Sequence, residues 1–178
     1  MIQEDFAIEH FHPARLFRNP HFQTVGGSML RPTTLEFERV RIDTPDDDFI
    51  DMDIPIFTDI DLPDDAPVVL ALHGLEGSAR RGYMQALYRE LALSGIRSVG
   101  MNYRTCSGEM NRTATLYHAG KTDDVALAHQ WTRQRFPHVP FGMVGFSLGG
   151  SMLLKYLGEY GDACAGDVLA GVAISPPF

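Results

Sequence analysis

Fully apolar runs alternate with helix-period stretches through most of this chain, and that alternation limits the fold more than any other feature. Val68-Val69-Leu70-Ala71-Leu72 is apolar at every position and has no polar face to turn to water. A strand of this kind is buried on both sides, as in a parallel sheet covered by helices. Beyond it, Met84, Leu87 and Leu91 recur at i, i+3 and i+7, one face of a helix that Gly95 can stop. Residues 97–103 read as the next strand, followed by a long loop over 104–121. Thr122 can cap a second helix whose first turn holds Asp123 and Asp124, which suits the positive end of its dipole. Val125, Ala128 and Thr132, with Leu127 and Trp131, form its packed side. Residues 141–146 are a strand. Residues 147–160 are a helix, apolar over most of its surface through Leu148, Leu153, Leu154 and Leu157. Residues 168–174 are a last apolar strand before Pro176-Pro177. The order β-α-β-α-β-α-β predicts an α/β sheet with right-handed crossovers.

The segments before this block behave differently. Residues 35–42 and 49–57 alternate apolar and polar with period 2 around the turn Pro45-Asp46-Asp47-Asp48, predicting an antiparallel hairpin at one edge of the sheet. The first stretch carries His10, His12 and His21 and prolines at 13, 20 and 32; it reads as an irregular arm. The expected organisation is an arm over 1–34 and a core over 35–178. A hydrophobic share of 44% supports a packed core, and a net charge of −8 argues against nucleic acid and anionic membranes, which attract basic patches. Two cysteines, Cys106 and Cys164, are too few for a disulfide framework and point to a reduced, cytoplasmic setting. Met1-Ile2-Gln3-Glu4-Asp5-Phe6 lacks the basic and apolar regions of a signal peptide, and no run is long enough to span a membrane.

The chemistry is concentrated in Gly145-Phe146-Ser147-Leu148-Gly149, a match to G-x-S-x-G between a strand and a helix. In that setting the serine stands on a tight, strained turn with its hydroxyl exposed at the sheet edge, and small neighbours leave room for backbone. The helix start behind it favours negative charge, and the N–H of Leu148 is one candidate oxyanion donor. The simpler alternative is a serine that only caps the helix. His73-Gly74-Leu75-Glu76-Gly77 follows the buried strand directly. In an α/β-hydrolase that loop supplies the second donor, here the N–H of Leu75, with His73 shaping the loop rather than acting as base.

Asn19-Pro20-His21-Phe22-Gln23-Thr24 resembles the entry segment of the YheT-like α/β-hydrolases, a family of esterases related to the abhydrolase-domain lipases of eukaryotes. Residues 73–78, 102–109 and 145–150, and Tyr117-His118-Ala119-Gly120 followed by Asp123, resemble further signatures of that family. The resemblance implies an eight-stranded fold, Ser147 as nucleophile, no cofactor and no metal. It also implies a small-molecule partner: a carboxylic ester of short or medium acyl chain, or an acylglycerol.

In that fold the triad acid and histidine follow the seventh and eighth strands, in the order Ser…Asp/Glu…His. All seven histidines here precede Ser147. The expectation is therefore an α/β-hydrolase fold truncated after the sixth strand, with the base and its orienting acid missing and the 178-residue chain inactive alone. A catalytically inactive relative that binds a ligand or partner is the alternative, and a stand-in base such as His118 a third. Truncation would leave Leu169, Val172 and Ile174 on an uncapped apolar edge, open to self-association. Of the remaining features, Cys106 is read as a small buried residue rather than a nucleophile, and the arm histidines make a poor metal site. Asp46-Asp47-Asp48 and Asp64-Asp65 are read as solvated turns, and Lys155 as a helix lysine reaching a polar partner.

Overall fold

The computed structural model describes residues 12–22, 34–161 and 166–177. The chain separates into two units, Met1–Pro32 and Thr33–Phe178. In the first, Arg15–Arg18 forms a 3-10 turn, and the Asn19 side-chain oxygen accepts the N–H groups of His21 and Phe22. Gln23 and Thr24, His10 and Cys164 lie outside the described residues.

The second unit is one six-stranded sheet with helices on both faces. In chain order its elements are β1 (Glu36–Asp43), β2 (Phe49–Ile56), β3 (Val68–Leu72), α1 (Gly82–Leu93), β4 (Arg97–Asn102), α2 (Thr122–Arg135), β5 (Phe141–Phe146), α3 (Leu148–Tyr160) and β6 (Ala170–Ile174). The strands lie in the order β1-β2-β4-β3-β5-β6. The first hairpin pairs antiparallel and joins β4 antiparallel, while β3, β4, β5 and β6 pair parallel. The edge hairpin and the parallel core are as the sequence predicts.

Period-2 alternation explains why β3 has no polar face. Val68, Leu70 and Leu72 pack with Val125 and Ala128 of α2 and Met152, Leu153 and Tyr156 of α3. Ala71 points the other way, to Met84 and Tyr88 of α1, with Val144 of β5 beside it. On that face Gly100 of β4 makes room for Tyr88: a Cβ there would lie 2.1 Å from the tyrosine oxygen.

Three local expectations are corrected. The buried line of α1 is Met84, Tyr88 and Ala92, with Leu87 and Leu91 only half-buried, because the large Tyr88 takes the centre of the face. Thr122 is the first residue of α2 rather than its cap; its hydroxyl donates to Glu159 of α3 and so ties the two helices together. Leu154 of α3 is exposed, so the packed side of that helix is made by Met152, Leu153 and Tyr156 rather than by all of its leucines. At the far edge of the sheet, Leu169, Val172 and Ile174 are exposed by 66%, 53% and 39%.

Candidate active site

The parallel strands end together. Leu72 at the end of β3 is in register with Gly145 of β5, so the residues that follow each strand emerge side by side. After β5 the chain turns at Ser147, with φ +49° and ψ −119°, and enters α3 at once. A non-glycine residue in this region is strained, and the strain persists only where surrounding contacts fix it. Those contacts are visible. The Ser147 N–H donates to the Ile174 carbonyl of β6 at 2.9 Å, and its own carbonyl accepts the N–H of Ser151. A Cβ on Gly145 would lie 2.3 Å from the Gly149 oxygen, and one on Gly149 would lie 2.5 Å from the Leu72 oxygen. Neither position admits a side chain without moving backbone, so the glycines allow β5, the start of α3 and the end of β3 to touch.

The loop after β3 stands against this turn: a Cβ on Gly74 would lie 3.4 Å from the Ser147 Cβ. Ser147 itself is exposed, and none of the described residues hydrogen-bonds its hydroxyl. Leu148 is the first residue of α3, where the N–H has no intrahelical acceptor. Leu75 is exposed, and among the described residues no acceptor takes its N–H. The turn and the loop thus bring Ser147, Leu75 and Leu148 to one edge of the sheet.

His73 lies beneath the loop, fully buried. Its Nε2 faces the Tyr103 N–H at 3.5 Å, which leaves Nδ1 to donate to the Gly74 carbonyl at 2.7 Å. Desolvation pulls its pKa down to about 4, so at neutral pH it is an uncharged strut for the loop. Gly77 must come close as well, since a Cβ there would sit 2.9 Å from the Gly74 oxygen.

Sequence reasoning missed the residues that brace this edge. Asn102 at the end of β4 accepts the Ala79 N–H and donates to Asp53, a buried carboxylate that also receives Arg39 and Arg80. Burial opposes ionisation of Asp53, yet the two guanidinium groups and Asn102 hold its pKa below the ordinary value. Tyr83 and Tyr117 place their hydroxyls on the Gly74 and Glu76 N–H groups. Arg104, buried just after β4, binds Asp46, Asp48 and Asp124. The turn is solvated at Asp46 and Asp47, which are exposed, but Asp48 is buried, and Arg104 reaches both Asp46 and Asp48. The Arg104 guanidinium holds Asp46 down to about 2. Asp48 is fully buried, and despite that desolvation, donors from Thr113, Arg112 and Asn111 keep its carboxyl far below the usual range. The signals available were the Asn102-Tyr103-Arg104 run at a strand end, where polar residues in an apolar pattern imply specific partners, and the Tyr117-His118-Ala119-Gly120 stretch.

The other singled-out residues fall elsewhere. Cys106 is half-buried against the main core, and burial pushes its thiol pKa up, away from nucleophile chemistry. Asp64 and Asp65 are exposed, and Lys155 pairs with Glu159 one turn on. No group of His, Cys, Asp and Glu among the described residues could hold a metal ion, and no described helix is long and apolar enough to cross a membrane.

The family profile of the alpha/beta hydrolase fold matches residues 67–178, which include both the loop after β3 and the β5–α3 turn. The chain belongs to the α/β-hydrolase family. Among curated proteins, it is 36% identical over 173 residues to "Putative esterase YheT" of Escherichia coli K12, covering 94% of this chain and 48% of that protein. It is 36% identical over 117 residues to the monoacylglycerol lipase of Saccharomyces cerevisiae, covering 65% of this chain and 26% of the relative. An abhydrolase domain-containing protein of Dictyostelium discoideum is 32% identical over 94% of this chain and 43% of its own length. The hydrolase chain described here thus spans about half the length, or less, of the curated relatives it matches. Among solved structures, a serine hydrolase without lid from Xanthomonas campestris superposes with a TM-score of 0.63 at 22% identity, covering 80% of this chain and 62% of that one. A Pyrococcus furiosus esterase gives 0.62 at 22% identity, over 82% and 53%. These likenesses show the shared fold.

Proposed function

We propose that this hydrolase is a serine-dependent carboxylic ester hydrolase for short- or medium-chain acyl esters or acylglycerols, with Ser147 as nucleophile. The observation that carries the reading is the strained, exposed Ser147 beside a loop whose Leu75 N–H has no acceptor among the described residues. Ser147 Oγ attacks the acyl carbonyl carbon while its proton passes to a histidine. The carbonyl oxygen becomes an oxyanion, which the N–H groups of Leu75 and Leu148 hold; one such donor is typically worth ~2.7–4 kcal/mol in the transition state. Collapse of the adduct breaks the ester C–O bond, and the alcohol leaves with the proton from the imidazolium. Water, deprotonated by the same imidazole, then releases the carboxylic acid and restores Ser147.

The histidine and its orienting acid are assigned to sequence outside these 178 residues, because no histidine follows Ser147 here. Three of the described histidines, His73, His118 and His129, support that assignment. His73 is engaged on both ring nitrogens, and His118 Nδ1 accepts the Gly120 N–H. His129 stacks on Phe141 at the amino end of β5, with Ser147 beyond the carboxyl end. The 178-residue chain alone is accordingly inactive. The substrate class follows the names of relatives: an esterase, a monoacylglycerol lipase and a medium-chain fatty acid ethyl ester synthase/esterase.

The test is fluorophosphonate labelling and p-nitrophenyl butyrate hydrolysis by the full-length polypeptide. Ser147→Ala is expected to abolish both. Hydrolysis that survives the substitution, or a wild-type protein that neither labels nor hydrolyses, overturns the reading in favour of a non-catalytic, ligand-binding relative.

A further inference from the structure

We propose that Tyr83 and Tyr117 are positioning residues that leave the Leu75 N–H as the unpaired donor of the Gly74–Gly77 turn, by accepting the N–H groups on either side of it. The inference rests on the hydrolase reading above, and it concerns how the oxyanion site is set rather than what it does.

Consecutive N–H groups in a loop compete for the same acceptors, so a loop with several unpaired donors has no defined direction. Here each neighbour is assigned. The Gly74 N–H donates to Tyr83 Oη at 2.9 Å, and the Glu76 N–H donates to Tyr117 Oη at 2.9 Å. The Gly77 N–H turns back to the Gly74 carbonyl at 3.1 Å. Within residues 74–77, the Leu75 N–H alone has no acceptor among the described residues. Glu76 holds φ +51°, a left-handed conformation that a non-glycine residue takes only when its surroundings impose it. Tyr117 fixes that peptide from one side, and Arg81 donates to the Glu76 carbonyl from the other.

Both phenols are themselves held. Tyr83 comes from α1, and its ring packs edge-on against Phe146 at 5.0 Å, so one side chain touches both the loop and the residue before Ser147. Tyr117 comes from the 104–121 loop and stacks on Tyr103, with centroids 5.2 Å apart. Tyr103 in turn donates its hydroxyl to the His73 carbonyl and packs its ring 4.1 Å from His73. The two clamps reach the loop from different elements, and each acts through a single hydroxyl. A donor aimed before the reaction begins needs no reorganisation when charge develops, which is where oxyanion stabilisation gets its strength.

The experiment deletes the hydroxyls singly, Tyr83→Phe and Tyr117→Phe, in the full-length polypeptide, with Tyr160→Phe at the far end of α3 as control. Residue-resolved amide exchange is expected to show slow Gly74 and Glu76 and fast Leu75. Tyr83→Phe should speed Gly74 alone, and Tyr117→Phe Glu76 alone. Each is expected to lower kcat for p-nitrophenyl butyrate by about tenfold with KM within about twofold. Inhibition by a trifluoromethyl ketone, which forms an oxyanion adduct with serine, should weaken by the same factor as kcat/KM. Tyr160→Phe should change none of these. Unaltered exchange, or altered exchange with unaltered kcat and inhibition against a Ser147-dependent activity, overturns the positioning role alone. Hydrolysis unaffected by Ser147→Ala removes the hydrolase reading and this role with it.

Discussion

Arg104→Met isolates the strongest electrostatic commitment in the fold. The Arg104 side chain is 1% exposed. Its Nε and Nη2 fork onto Asp124 at 2.8 and 2.9 Å, its Nη1 and Nη2 onto Asp46 at 2.8 and 3.0 Å, and Nη1 also reaches Asp48 at 3.1 Å. Methionine fills much of the volume and removes every one of these bonds. What remains is a fully buried Asp48, still served by Asn111, Thr113 and the N–H groups of Phe49 and Arg112, and a buried Asp124 with Lys121 at 3.7 Å. Removing one partner of a buried ion pair costs about 3–5 kcal/mol. Because Asp46 can turn to water and Asp48 keeps other donors, the lower end, about 3 kcal/mol, is expected.

The pH dependence makes the reasoning refutable. In the wild type Asp46 and Asp48 titrate below their ordinary values, Asp46 at about 2. Their contribution is complete above about pH 4 and is lost as pH falls toward 2. Without Arg104 the buried Asp48 carboxylate has lost its cation and its pKa rises, so protonation relieves part of the defect. The R104M deficit should be largest at pH 7 and shrink by pH 4. Urea unfolding of both proteins at the two pH values measures it, with a midpoint shift of roughly 1 M or more at pH 7. A deficit below about 1 kcal/mol, or one equal at both pH values, refutes the buried-charge account.

Other outcomes follow from the same geometry. Gly149→Ala should lower stability by about 1–3 kcal/mol and lower Ser147 labelling, because its methyl meets the β3 carbonyls; a thermal melt and the fluorophosphonate rate report both. His73 has a folded pKa of about 4 against an ordinary value near 6.5, so its share of stability is whole above about pH 6.5 and is lost as pH falls through 4, roughly 3 kcal/mol at most. His73→Asn should flatten that stretch of the stability–pH curve, and an unchanged slope in chemical unfolding would count against it. Val172→Lys on β6 is expected to reduce self-association of the 178-residue chain, read by sedimentation velocity; wild-type chain that stays monomeric at high concentration removes the edge argument.

What could be read from the sequence was what is local. The even apolarity of Val68–Leu72 reports a strand packed on both faces because alternate side chains meet helices on opposite sides. The spacing of Gly145, Ser147 and Gly149 reports a tight turn because the close approaches it demands lie within the motif or one strand away. The misreadings arose where a partner lies far along the chain. Asp48 looked like part of a solvated turn, and the Arg104 partner of Asp46 went unseen, because Arg104 is more than fifty residues away. Thr122 looked like a cap because nothing local announces Glu159. Tyr117 stood in a stretch that resembles a family signature, but neither it nor Tyr83 announced its task, since a phenol that accepts one backbone N–H leaves no periodicity behind.

That division also explains how the strained turn survives. A motif can supply the residue types for a serine at φ +49°, but strain of this kind, of order 1–3 kcal/mol, relaxes unless other structure opposes it. The opposing structure is non-local. Ile174 of β6 accepts the Ser147 N–H, Pro177 accepts the Ser151 hydroxyl, and the β3 carbonyls press on Gly149. The turn is therefore fixed by its two neighbouring strands as much as by its own five residues. A variant that frays β6, leaving the G-x-S-x-G segment untouched, should lose the strained serine geometry before it loses the rest of the sheet.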